Sequence, residues 1–80
     1  MEMIGKYLKI EFFEKSATGK TDIYYVFNHS GEKLGEIKWY AHWRKYVFYS
    51  EGGIIADDLC LSDIQLFLSE LKKERKAKNG

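Results

Sequence analysis

Apolar and polar positions alternate along most of the first fifty residues. From Lys6 to Glu14, Leu8, Ile10 and Phe12 fall on one side and Tyr7, Lys9, Glu11 and Phe13 on the other, which predicts a strand with one drier face. The polar stretch Lys15 to Thr21, with Ser16, Thr18 and Gly19, predicts a hairpin loop. Asp22 to Asn28 is dense in aromatic and β-branched residues (Ile23, Tyr24, Tyr25, Val26, Phe27) that suit a pleated, half-buried surface, and it predicts a second strand. After a turn at His29-Ser30-Gly31-Glu32, alternation resumes from Leu34 to Ala41. Gly35, Ile37 and Trp39 oppose Leu34, Glu36, Lys38 and Tyr40 in this third strand, and Gly35 marks a candidate bulge. A turn between Ala41 and Lys45 leads to a fourth strand, Tyr46 to Ser50. Gly52 and Gly53 end it, and Ile54 to Ala56 reads as either a short fifth strand or an extended link.

The period then changes. Leu61, Ile64, Leu68 and Leu71 recur at helical spacing and share one stripe with Cys60 and Phe67. Asp57, Asp58 and Ser62 are candidate caps, Ser62 with Gln65 fitting a capping box. So apolar a stripe has to be buried, and the only layer available to bury it is a sheet face. Short connections favour sequential antiparallel pairing. Residues 1–80 therefore read as a single α+β domain. Its antiparallel meander has four strands, or five if Ile54 to Ala56 joins, with one C-terminal helix packed on one face and the other face carrying exposed Tyr and Phe.

Composition supports a packed core, with 45% hydrophobic and 16% aromatic residues. Thirteen rings are more than so small a chain can enclose, so some must lie at the surface. Net charge is only +1, but residues 72–78 hold Lys72, Lys73, Arg75, Lys76 and Lys78 against Glu74, leaving the preceding chain acidic. This run reads as a helix end whose cations complement the macrodipole and fray into a tail over 72–80, or as a nucleic-acid contact. Cys60 is the only cysteine, which excludes an intrachain disulfide and points to the cytoplasm. Met1 to Lys9 has no signal-peptide run, and nothing approaches the ~20 apolar residues of a membrane span.

Catalytic signals are weak. Gly19-Lys20-Thr21 looks like the end of a P-loop, but Glu14 stands where the earlier glycine belongs and no helix follows. His29, His42 and Cys60 fit no zinc spacing, and Cys60 on the apolar stripe reads as a core thiol. Asp57 and Asp58 read as caps rather than an acid/base pair. The expectation is a protein that is not an enzyme and carries no metal or small-molecule cofactor. The richest segment is Trp39-Tyr40-Ala41-His42-Trp43-Arg44-Lys45-Tyr46, where rings interleave with cations at a hairpin tip. Tyr40, His42, Trp43, Arg44 and Lys45 are its candidate binding residues, with Arg44 able to stack on Trp43. The packing alternative turns Trp39 into the core and folds Trp43 over the sheet end against the helix.

Gly35-Glu36-Ile37-Lys38-Trp39-Tyr40, then Trp43-Arg44 and Tyr46 to Phe48, then Cys60-Leu61-Ser62-Asp63-Ile64 and Phe67-Leu68 resemble a family of small uncharacterised proteins from bacteria, phages and mobile elements. That family carries a W-Y-x-P-W-R-x-Y-x-F segment followed by a C-L-x-D-I-x-x-F helix. This sequence has His42 in place of the family's proline and no proline after Tyr49. The resemblance covers roughly the C-terminal half and implies one strand-and-helix unit without a mechanism.

Two binding roles follow as expectations. The first is a protein partner or homodimer held through the aromatic sheet face or the Trp43 tip. The second is a nucleic-acid-binding accessory protein that stacks bases on Tyr and Trp and places phosphates on Arg44, Lys45 and the basic tail.

Overall fold

The aromatic and β-branched run Asp22–Asn28 lies at the centre of the computed structural model, which describes residues 3–79. Its neighbours follow in chain order: β1 (Met3–Ile4), β2 (Leu8–Lys15), β3 (Asp22–Asn28), β4 (Lys33–Tyr40) and β5 (Lys45–Ser50) form one antiparallel sheet in the order β1-β2-β3-β4-β5. One helix, α1 (Asp58–Asn79), covers one face. This is the α+β meander with a C-terminal helix that the alternation predicts. The short strand that adds a fifth member is β1, at the edge opposite to the expected one. Residues 54–56 are an extended link: Ile54 packs against the core, while Ile55 is 95% exposed.

Register decides which residues meet the helix. Ile10 pairs with Val26, Val26 with Gly35, Tyr24 with Ile37, Ile37 with Phe48 and Trp39 with Tyr46, so these side chains share the helix-facing side. The core unites Leu8, Ile10, Tyr24, Val26, Leu34 and Ile37 with Ile64, Phe67 and Leu71, and Tyr24 meets Phe67 edge-on at 4.9 Å. Three expected placements differ. Leu34, assigned to the outer face by alternation, is buried, because the register slips between Val26 and Phe27 and the extra residue turns inward. Gly35 sits beside that bulge: a Cβ there would collide with the Tyr49 carbonyl oxygen and approach the Phe48 ring to 2.8 Å. Leu61 is half exposed, the buried stripe being centred on Ile64, Phe67 and Leu71, and Tyr7 packs against the core instead of facing away.

The helix begins at Asp58 because Asp57 caps it. Its Oδ1 accepts the Cys60 N–H (3.0 Å), and its carbonyl accepts the Leu61 N–H (3.0 Å). Bonds to the Cys60 backbone hold the Asp57 carboxyl below the usual carboxylate range. The proposed box at Ser62 and Gln65 therefore lies inside the helix. At the other end, helix continues through the basic run to Asn79. Gly80 lies outside the described residues. Asp63 ties the helix to the sheet: its Oδ2 accepts the N–H groups of Tyr7 (2.9 Å) and Leu8 (3.1 Å). Among the described residues, no helix is long and apolar enough to cross a membrane.

Candidate functional site: a basic groove with an aromatic floor

The β4–β5 hairpin turns through Ala41–Arg44. Trp43 N–H donates to the Tyr40 carbonyl (3.1 Å) and Arg44 N–H to the Ala41 carbonyl (3.2 Å). Arg44 closes the turn at φ +54°, a left-handed conformation costly for a side chain with a Cβ. This tight reversal separates the candidate residues. Tyr40, His42 and Trp43 cluster together, with the Tyr40 ring 5.0 Å from Trp43 and 5.9 Å from His42. Tyr40 belongs to the open face by register, so Trp43, 62% exposed, does not cover the helix. Arg44 instead lines the space between the hairpin and α1, and Lys45 stands at its rim, where β5 begins.

That space is a groove of about 570 Å³. Trp39 and Tyr46, cross-strand partners on the helix-facing side, form its floor with Leu68, their rings meeting edge-on at 5.4 Å. Along α1, Gln65, Ser69, Lys72, Arg75 and Lys76 make the opposite wall. Arg75 places its guanidinium 4.1 Å from the Trp39 ring centroid, so the cation expected at this aromatic cluster comes from the helix, not from Arg44. Five cations line the groove and no carboxylate does; none of the five forms an ion pair among the described residues. The rest of the chain has eight Lys and Arg against twelve Asp and Glu, so positive charge is concentrated here.

The Tyr46 ring is anchored from beneath. Its hydroxyl accepts the Asp22 N–H (3.1 Å), and the Tyr24 hydroxyl donates to Asp22 Oδ2 (3.3 Å). Burial pulls the Asp22 carboxyl upward, but the Lys15 ammonium 2.7 Å away and the Tyr24 hydroxyl hold it below the usual range. Burial likewise pushes the Tyr24 phenol far up, so it stays a donor at any physiological pH.

The open sheet face is different. Phe13, displaced by a register slip in β2, stacks on Tyr25 at 4.1 Å, and Lys33 sits 3.8 Å over the same ring. Lys33 also pairs with Glu36 (3.1 Å) and Glu51 (3.3 Å), and Lys38 lies 4.6 Å over Tyr49. A depression of about 530 Å³ there mixes Lys9 and Glu11 with Phe27. Charge of both signs interleaves with the rings.

The remaining motifs have structural places. Lys15 to Thr21 is a hairpin loop in which Gly19 (φ +73°) permits the turn. His29 Nε2 lies 3.2 Å from the Gly5 carbonyl and 3.1 Å from that of Lys6, acting as donor to both. Burial pushes the half-buried Cys60 thiol upward, reinforced by Asp57. Among the described residues, no three His, Cys, Asp or Glu side chains come together to hold a metal ion.

The sequence groups Arg44, Lys45 and the basic run as phosphate contacts, but it does not show that Trp39 and Tyr46 form the floor between them. The signal was present on the helix: at 100° per residue, Leu68, Lys72, Arg75 and Lys76 occupy one flank beside the buried stripe.

Fold and groove together define a small α+β protein in which one helix backs an antiparallel meander and leaves a basic cleft along one side. Over 52 residues, 64% of this chain, it is 38% identical to an uncharacterized 9.3 kDa protein of Acholeplasma phage L2, of which the match covers 67%. The chain belongs to the family of that phage protein. No family model and no solved structure matches it.

Proposed function

We propose that this protein is a non-enzymatic, cytoplasmic accessory module that binds nucleic acid through the groove between the β4–β5 hairpin and α1. The observation that carries the reading is the lining itself: five cations, none in an ion pair among the described residues, and no carboxylate around a tryptophan and a tyrosine. Phosphates supply the charge that such a groove lacks, and bases supply flat faces for its rings. Sequence reading favoured a protein partner on the aromatic sheet face. That role has less support, because Lys33, Glu36, Lys38 and Glu51 set paired charges among the rings of that face. The similarity to a phage protein supports a gene carried on mobile elements, as does the W-Y-x-x-W-R segment.

Fluorescence anisotropy with labelled oligonucleotides at 50 and 200 mM salt tests the reading. Four or five neutralised phosphates on a single strand give a log–log slope near −0.7 per phosphate, so affinity falls by roughly 50- to 130-fold over that range. No binding to DNA or RNA at 50 mM salt overturns it.

A further inference from the structure

The groove's shape and its most intimate contact say which form of nucleic acid it takes. Resting on the nucleic-acid reading above, we infer that the ligand is a single strand that places an unpaired base on Trp39, with Arg75 leaving that ring to take a neighbouring phosphate.

Trp39 is half-buried at the floor of a cleft of about 570 Å³, within the size range of clefts that enclose small ligands (about 300–1,000 Å³). A duplex keeps its bases paired and stacked inside a charged cylinder, so it meets only the rim of such a cleft, whereas a splayed base reaches the floor. The cations are set on two walls, Arg44 and Lys45 on the hairpin and Lys72, Arg75 and Lys76 on the helix. That is more charge, over a longer track, than one nucleotide monophosphate satisfies, and it matches consecutive phosphates flanking one inserted base.

Arg75 supplies the exchange. In the free protein its guanidinium covers Trp39 at 4.1 Å, filling the position a base would occupy. Among the described residues it has no carboxylate partner, so the ring contact is all it gives up when a base arrives and a phosphate becomes available. The uncovered indole is then a stacking platform, and the displaced cation adds to the phosphate contacts.

The test uses the full chain with Trp43→Phe, so that Trp39 is the only tryptophan. Octathymidylate, a duplex of the same length and thymidine monophosphate are titrated at 50 mM salt while Trp39 emission is followed. The expected result is saturable quenching by the octamer, at least tenfold weaker binding of the duplex without that quench, and no saturation by the mononucleotide at octamer concentrations. Arg75→Ala should keep the quench and make the salt slope shallower by about 0.7. Ser69→Glu, on the rim of the helix and away from the core, should weaken the octamer at least tenfold, and Trp39→Leu should do so where circular dichroism shows it folded. Equal duplex affinity, or saturation by the mononucleotide, overturns the single-strand inference while leaving nucleic-acid binding in place. Binding to none of the three, nor to octauridylate under the same conditions, overturns both.

Discussion

Asp63 and Leu8, fifty-five positions apart, are joined by a hydrogen bond of 3.1 Å from the Leu8 N–H to the Asp63 carboxylate, and the same oxygen takes the Tyr7 N–H at 2.9 Å. One side chain thus fastens the helix to the first long strand while satisfying two backbone donors at its start. Charge-assisted bonds of this kind contribute about 1.5–3 kcal/mol each when buried, and half-burial trims that. Asp63→Ala is expected to cost about 2 kcal/mol in urea denaturation, and Asp63→Asn, which keeps an acceptor, clearly less. Equal loss in both variants would show that the carboxylate charge, not the acceptor geometry, is what matters.

Gly35 has no room for a methyl group. Gly35→Ala drives its Cβ into the Tyr49 carbonyl and the Phe48 ring, and should destabilise by about 3 kcal/mol or more, a large share of the ~5–15 kcal/mol total of a small domain. Gly52→Ala, which meets nothing within 4 Å, should stay within about 0.5 kcal/mol of the parent. Thermal melts of the two variants side by side check the contrast.

Arg44 separates stability from binding. Its left-handed backbone, φ +54°, suits glycine better than arginine. Arg44→Gly should therefore leave stability unchanged or raise it by up to about 1 kcal/mol, while lowering affinity for single-stranded DNA. A loss of more than about 1 kcal/mol would mean that the side chain props the turn.

Acid should unfold the protein through two carboxylates. Asp22 and Asp57 are both held below their usual range, so between the folded and unfolded values the unfolded chain binds more protons. Their stabilisation is complete above the unfolded value near ~3.9 and is lost as pH falls through the folded values. Melting temperature should be flat from pH 7 to about pH 5 and fall steeply below pH 4, with the fall shallower in Asp22→Asn and Asp57→Asn.

Cys60 should react slowly. Burial raises its thiol, so at pH 7.5 iodoacetamide should modify the native protein at least tenfold more slowly than the urea-unfolded chain. Equal rates would place the sulfur in open water.

Much of this architecture is legible along the chain because period 2 and period 3.6 are local properties. Ile10, Val26 and Ile37 announce the inner face, and Ile64, Phe67 and Leu71 announce the helix. Leu34 defeats the same logic, since one extra residue at a bulge reverses inside and outside for its neighbours. β1 is invisible for another reason: two residues carry no periodicity, and only pairing with Lys9 and Ile10 makes them a strand. The groove is harder still. Trp39 and Arg75 are thirty-six positions apart, and neither alternation nor helical spacing says that they touch.

Tyr46 gives the groove two unlike halves. Its ring floors the cleft while its hydroxyl supports the Asp22 N–H, so Tyr46→Phe would orphan that donor and loosen the start of β3. Gln65 and Ser69 across the cleft make no side-chain hydrogen bond among the described residues. Ligand preference can thus drift by exchanging helix residues one at a time, while Tyr46 in the floor is held by its bond to the sheet.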